Sequence, residues 1–225
     1  MDVAVGSPID SSHGVDPKEP KTTLEVPQAE IIHGILNLWQ AKKKNSDVVL
    51  VLDISGSMND EGKLASAQLG ARQLIGQMSD GDNFSLLPFS NEFVWAAQDV
   101  PLKTGRAQSV SQIESLFAHG GTALYDAVDA AYQHLFERRQ REHKIQAVVV
   151  LTDGDDNESK MKLSDLMSRI KFDGENHTIR VFTIAYGQDA RKDILKQIAE
   201  ATQAKSYEGI PKNIVTVFRD ISTFF

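Results

Sequence analysis

Val48-Val49-Leu50-Val51-Leu52 runs directly into Asp53-Ile54-Ser55-Gly56-Ser57, and this junction decides the fold. An unbroken aliphatic pentamer reads as a strand buried on both faces, the condition of a parallel sheet covered by helices on either side. Oxygen donors arrive where it ends, at the carboxyl edge where open α/β sheets bind ligands. Asp53, Ser55 and Ser57 place one carboxylate and two hydroxyls at alternate positions of one tight loop. Hard oxygens of this kind suit Mg²⁺, Mn²⁺ or Ca²⁺.

Two further stretches extend the pattern. Gly120-Gly121-Thr122-Ala123-Leu124 offers a hydroxyl just before a helical periodicity, and Val148-Val149-Val150-Leu151-Thr152-Asp153-Gly154 ends a second buried strand on a carboxylate. Taken alone, the first loop reads equally as a helix cap, with Ser57 capping the helix that follows. On that loop alone, capping and metal binding stand about even.

The set Asp53-x-Ser55-x-Ser57, Thr122 and Asp153 resembles the metal-ion-dependent adhesion site (MIDAS) of the von Willebrand factor A domain. The resemblance covers residues 45–225. It implies a doubly wound, mostly parallel α/β sheet with helices on both faces, Rossmann-like in type. It also implies one Mg²⁺ (or Mn²⁺ or Ca²⁺), with Ser55 and Ser57 as direct ligands. Thr122 is direct or water-linked, and Asp53 and Asp153 act through coordinated water. Neutral hydroxyls innermost keep the cation electrophilic, so that it attracts an acidic side chain of a partner protein. The expected function is therefore non-enzymatic, metal-dependent protein binding.

The rival expectation is a Mg²⁺-dependent hydrolase or phosphatase of an α/β fold. Haloacid-dehalogenase-type phosphatases carry Asp-x-Asp after the first strand, and here Ser55 stands in the second Asp's place. Two decoys fall on spacing. Gly56 to Gly62-Lys63 has one residue too many for a phosphate-binding loop, and Leu64 replaces its Ser/Thr. Asp153-Gly-Asp155-Asp156-Asn157 begins like a Ca²⁺ loop, but Glu158 replaces the required glycine. Asp155, Asp156 and Glu158 are expected to form an acidic rim instead. No Gly-x-Ser-x-Gly is present, and the histidines lack ligand spacing. His119 reads as an exposed loop residue.

Composition narrows the classes further. A net charge of −7 argues against nucleic acid, which is bound through basic patches. With no cysteine, disulfides, thiol chemistry and Cys-ligated zinc drop out. No run approaches the ~18–20 apolar residues that span a bilayer, so no direct membrane insertion is expected.

Four of the seven prolines, Pro8, Pro17, Pro20 and Pro27, crowd the start of the chain, so residues 1–28 read as a linker. This stretch resembles linkers of bacterial proteins that join a solute-binding-like domain to an A domain. That implies a fragment of a larger, extracytoplasmic (periplasmic or cell-surface) protein. Ile31, Ile32, Ile35, Leu36 and Trp39 predict a helix over 29–44 packing on or beside the domain. Beyond it, strands are expected near 47–52, 83–89, 93–97, 146–152, 178–185 and 205–208. Helices are expected near 62–79, 108–117, 122–141, 163–172, 190–202 and 211–223. Partner identity and oligomeric state are not legible here.

Overall fold

Ser46–Asp53 forms strand β1, and it is buried along its whole length. Beside it runs β4 (Ile145–Thr152), parallel, with Val49 opposite Val148 and Leu52 opposite Leu151. These strands belong to a computed structural model that describes residue 31 and residues 44–138, 144–171 and 179–225. The linker expected over 1–28 lies outside the described residues. So does the helix expected over 29–44, apart from Ile31, which is helical and exposed, and Lys44. The chain divides after Lys43, and the unit from Lys44 to Phe225 contains the sheet and all three loops of the motif.

Around the two central strands lie β2 (Asn83–Phe89), β3 (Ala97–Pro101), β5 (Arg180–Tyr186) and β6 (Ser206–Gly209). The sheet order is β3-β2-β1-β4-β5-β6. Every neighbouring pair is parallel except β2 with β3. The chain moves outward from β1 through β2 to β3, then returns to lay β4 on the other side of β1. Connections thus leave β1 and β4 in opposite directions, which opens a crevice at their carboxyl ends. Asp53 and Asp153 stand at that crevice.

Helices cover both faces. Side chains alternate across a strand, so Val48, Leu50 and Leu52 point one way and Val49 and Val51 the other. The first set joins α1 (Lys63–Gln77), α2 (Leu102–Glu114) and α6 (Ile214–Ser222) in one core, through Leu74, Ile113 and Phe218. The second meets α3 (Leu124–Arg138), α4 (Leu163–Ile170) and α5 (Lys192–Ala201), through Val128, Leu166 and Leu195. Burying each such aliphatic side chain contributes ~1.5–3 kcal/mol. The resulting two-faced core holds the strand ends, and hence the site, in fixed register.

Two elements differ from expectation. The strand expected at 93–97 forms at 97–101 instead, as an antiparallel edge with a register shift opposite Phe84 and Leu86. Phe93 makes a single bridge to Phe89, and Trp95 lies 4.8 Å from the His134 ring. The alternating aromatics at 93 and 95 thus belong to a loop whose half-buried rings pack against the core. Helix α2 begins at Leu102, six residues earlier than expected, in spite of Gly105. A Cβ at Gly105 would collide with Val100 Cγ1, so that glycine lets the helix close on β3.

Candidate functional site

Backbone turns bring the three loops together before any side chain acts. Gly56 N–H donates to Gly120 O (2.9 Å), and His119 N–H donates to Ile54 O (2.7 Å). These two bonds tie the Gly120-Gly121-Thr122 loop to the end of β1. Gly120 adopts φ +76°, where an L side chain is strained, and a Cβ there would also collide with Asn91 Oδ1. Asn91 uses that oxygen to accept Gly121 N–H. Gly56, by contrast, is not among the glycines with positive φ. A Cβ there would lie 3.4 Å from Gly120 O, an ordinary contact, so neither a left-handed turn nor crowding requires glycine at that position.

Asp53 is fully buried, and its two oxygens have separate partners. Oδ1 accepts Ser55 N–H at 2.7 Å, and Oδ2 accepts the Thr152 hydroxyl. Burial pushes the carboxyl up to about 6, against the lowering influence of the Thr152 and Ser55 hydrogen bonds; the nearby Asp153 charge raises it further. A positive charge placed beside this carboxylate would relieve that cost.

From Ser55 a line of oxygens leads to the neighbouring strand end. Ser55 Oγ lies 3.1 Å from Ser57 Oγ, and Ser57 Oγ donates to Asp153 Oδ1 at 2.8 Å. Ser55 makes no side-chain capping bond, and Ser57 turns toward Asp153 from within the 3₁₀ segment Gly56–Gly62. The capping alternative is therefore absent from the described residues. Thr122 is buried, with its N–H on Asn157 Oδ1 (2.8 Å). Its Oγ1 would lie 3.5 Å from a Cβ at Gly154, which brings the third hydroxyl against the turn that follows Asp153. All five residues singled out in the sequence thus meet at the crevice.

The carboxylates expected to form an acidic rim are engaged by neighbouring groups. Asp155 pairs with Arg191 at 2.9 Å. Asp156 accepts Tyr125 N–H (3.1 Å) and Ser159 N–H (3.3 Å), stitching the loop to the start of α3. Asp126, from α3, accepts Lys160 N–H (2.9 Å) and Met161 N–H (3.0 Å) in turn. Glu158 stands over Gly121. His119 is an exposed loop residue, stacked on Phe117 at 5.1 Å.

Three participants were not singled out in the sequence as site residues: Thr152, Asn157 and Lys63. Lys63 Nζ lies 2.7 Å from Asp153 Oδ2, with its side chain 10% exposed and that of Asp153 fully buried. Burial lowers the lysine's proton affinity, but the hydrogen bond and charge of Asp153, aided by Asp189 and Asp60, more than offset this and raise it. The spacing of Gly62-Lys63 does not suit a phosphate loop, yet a lysine opening the helix behind an anionic loop is itself a signal. Among the described residues no three His, Cys, Asp or Glu side chains gather as a metal cluster.

A mostly parallel sheet with hydroxyls and carboxylates at its switch point defines a doubly wound α/β domain. More narrowly, the chain belongs to the von Willebrand factor type A family, whose model matches residues 47–216. Inter-alpha-trypsin inhibitor heavy chain H4 of Sus scrofa is 28% identical over 176 residues, covering 72% of this chain and 18% of that protein. This chain thus spans under a fifth of that relative's length. Among solved structures, a von Willebrand factor type A protein from Catenulispora acidiphila shares the fold with a TM-score of 0.64 and 24% identity, over 80% of this chain and 42% of that one. Proximal thread matrix protein 1 of the mussel byssus, solved with a zinc-occupied MIDAS motif, matches with a TM-score of 0.65 and 18% identity, over 81% and 46% of the two chains.

Proposed function

We propose that this domain is a divalent-metal-dependent protein-binding module, with a cation held by Ser55, Ser57 and Thr122 and supported by Asp53 and Asp153. The observation that carries this reading is the continuous line Ser55 Oγ, Ser57 Oγ, Asp153 Oδ1, with spacings of 3.1 and 2.8 Å. Neighbouring oxygens on an octahedral ion with bonds of ~2.1 Å lie about 3 Å apart, so the Ser55 and Ser57 hydroxyls, 3.1 Å apart, fit one edge of a Mg²⁺-sized cation, and Mn²⁺ or Ca²⁺ shares their chemistry. The zinc in the MIDAS motif of the mussel protein supports a divalent ion at such a site. A hard cation with an open position favours a carboxylate, which makes an acidic side chain of a partner protein the fitting ligand.

The enzyme alternative, a Mg²⁺-dependent phosphatase, finds little support in the side chains. An attacking carboxylate must reach its substrate, and Asp53 is fully buried with both oxygens engaged by Ser55 and Thr152. Extracytoplasmic placement within a larger bacterial protein rests on the linker resemblance of residues 1–28 and belongs to the same proposal.

Calorimetry with Mg²⁺ and Mn²⁺ tests the reading. Binding is expected for the wild type and lost in Ser55→Ala/Ser57→Ala, while capture of an acidic protein ligand disappears in EDTA and in Thr122→Ala. Phosphatase turnover above a Ser55→Ala control would instead favour the enzyme.

A further inference from the structure

Lys63 is held at both ends, although it stands outside the five-residue motif. It opens α1, and its carbonyl accepts the hydroxyl of the buried Tyr186 at 3.0 Å. Its stem runs beside Gly187, where a Cβ would lie 3.5 Å from Cε and 3.8 Å from Nζ. Nζ ends on Asp153 Oδ2, while Asp153 Oδ1 accepts the Ser57 hydroxyl. The two oxygens of Asp153 thus have divided duties: one faces the lysine, the other faces the site. On its other side Lys63 borders a 490 Å³ cavity lined also by Asp60, Asp189 and Lys212.

This placement alters the charge of the site. Asp53 and Asp153 together match the charge of a divalent cation, which weakens its attraction for an acidic ligand even with neutral hydroxyls innermost. With the ammonium on Asp153, one negative charge remains, and a divalent ion keeps an excess of one positive charge. We propose that Lys63 is a charge-setting residue that weakens cation binding and strengthens the hold of the bound cation on an external carboxylate. The assignment rests on the metal-dependent reading of the site. It predicts opposite changes in two affinities, which a residue that merely anchors α1 does not produce.

The test uses K63M and K63R, with Mn²⁺ as the ion and acetate as the carboxylate probe. Calorimetry reads Mn²⁺ affinity, and water-proton relaxation of the Mn²⁺-loaded protein reads displacement of bound water by acetate. K63M is expected to bind Mn²⁺ about tenfold more tightly and acetate about tenfold more weakly, each tenfold corresponding to ~1.4 kcal/mol. K63R, which keeps the charge, stays within about twofold of wild type in both. If K63M unfolds in EDTA, recovery on adding Mn²⁺ supports the assignment, because the ion then supplies the missing positive charge. Failure to fold even with Mn²⁺ while K63R folds overturns it, as does Mn²⁺ affinity that is unchanged or weaker in K63M, or acetate affinity that is unchanged. Wild-type protein that binds no Mn²⁺ overturns the metal reading itself, which is a distinguishable result.

Discussion

Replacing Asp53 by asparagine should make the metal-free domain more stable, not less. Asp53 is fully buried, and without a cation its carboxyl titrates near 6 instead of 3.8. A displacement of roughly two pH units corresponds to ~3 kcal/mol lost on folding the ionised form. Folding favours the protonated carboxyl, because the folded-state value lies above the unfolded one. That contribution is complete below pH 3.8 and disappears as pH rises through about 6. Asparagine removes the charge but forces the Thr152 hydroxyl, which now donates to Oδ2, to find another acceptor, at a cost of about 1 kcal/mol. The net gain is about 2 kcal/mol at pH 8, or roughly 4–8 °C in Tm for a domain of this size.

Thermal melts in EDTA at pH 8 and pH 4.5 provide the assay. The variant should melt higher at pH 8, with most of the difference gone at pH 4.5. Saturating Mg²⁺ should reverse the order, since binding at a hundred times Kd adds ~2.7 kcal/mol to the wild type alone. An Asp53→Asn variant that melts at or below wild type in EDTA at pH 8 would refute the reasoning, as would an advantage equal at both pH values.

The same geometry sets three other outcomes. In Ser55→Ala/Ser57→Ala, Tm should no longer rise with millimolar Mg²⁺ or Mn²⁺, as differential scanning fluorimetry would read directly. Gly120→Ala combines a left-handed backbone with a Cβ driven into Asn91 Oδ1, so urea titration should show a loss of about 2–3 kcal/mol along with weakened metal binding. Deleting residues 1–27 should leave Tm within a degree or so of the full chain, as scanning calorimetry of the two proteins checks, if that stretch is a linker without a core of its own.

Local signals carried much of the architecture. Val48 to Leu52 and Val148 to Leu151 are apolar without interruption, a pattern that suits a strand covered on both faces. Their ends, and the helices at 63–77, 124–138, 163–170 and 192–201, formed close to where periodicity put them. The five residues Asp53, Ser55, Ser57, Thr122 and Asp153 were legible for the same reason, since each borders a readable element. Periodicity misled where side chains served a purpose other than regular structure. Phe93 and Trp95 alternate like a strand because both rings pack from a loop onto the core, and Gly105 resembles a helix breaker because Val100 requires the space.

The amino-acid sequence alone determined the class of fold and which hydroxyls and carboxylates stand where its central strands end, because hydrophobic runs and the residues that end them are local facts. What it left open was which atoms face one another. Thr152 on Asp53, Arg191 on Asp155 and Lys63 on Asp153 are pairings across 36 to 99 residues of chain. No local pattern encodes them. They exist because the sheet order sets β4 against β1 and because burial makes an unpaired charge costly, so the folded chain itself selects each partner.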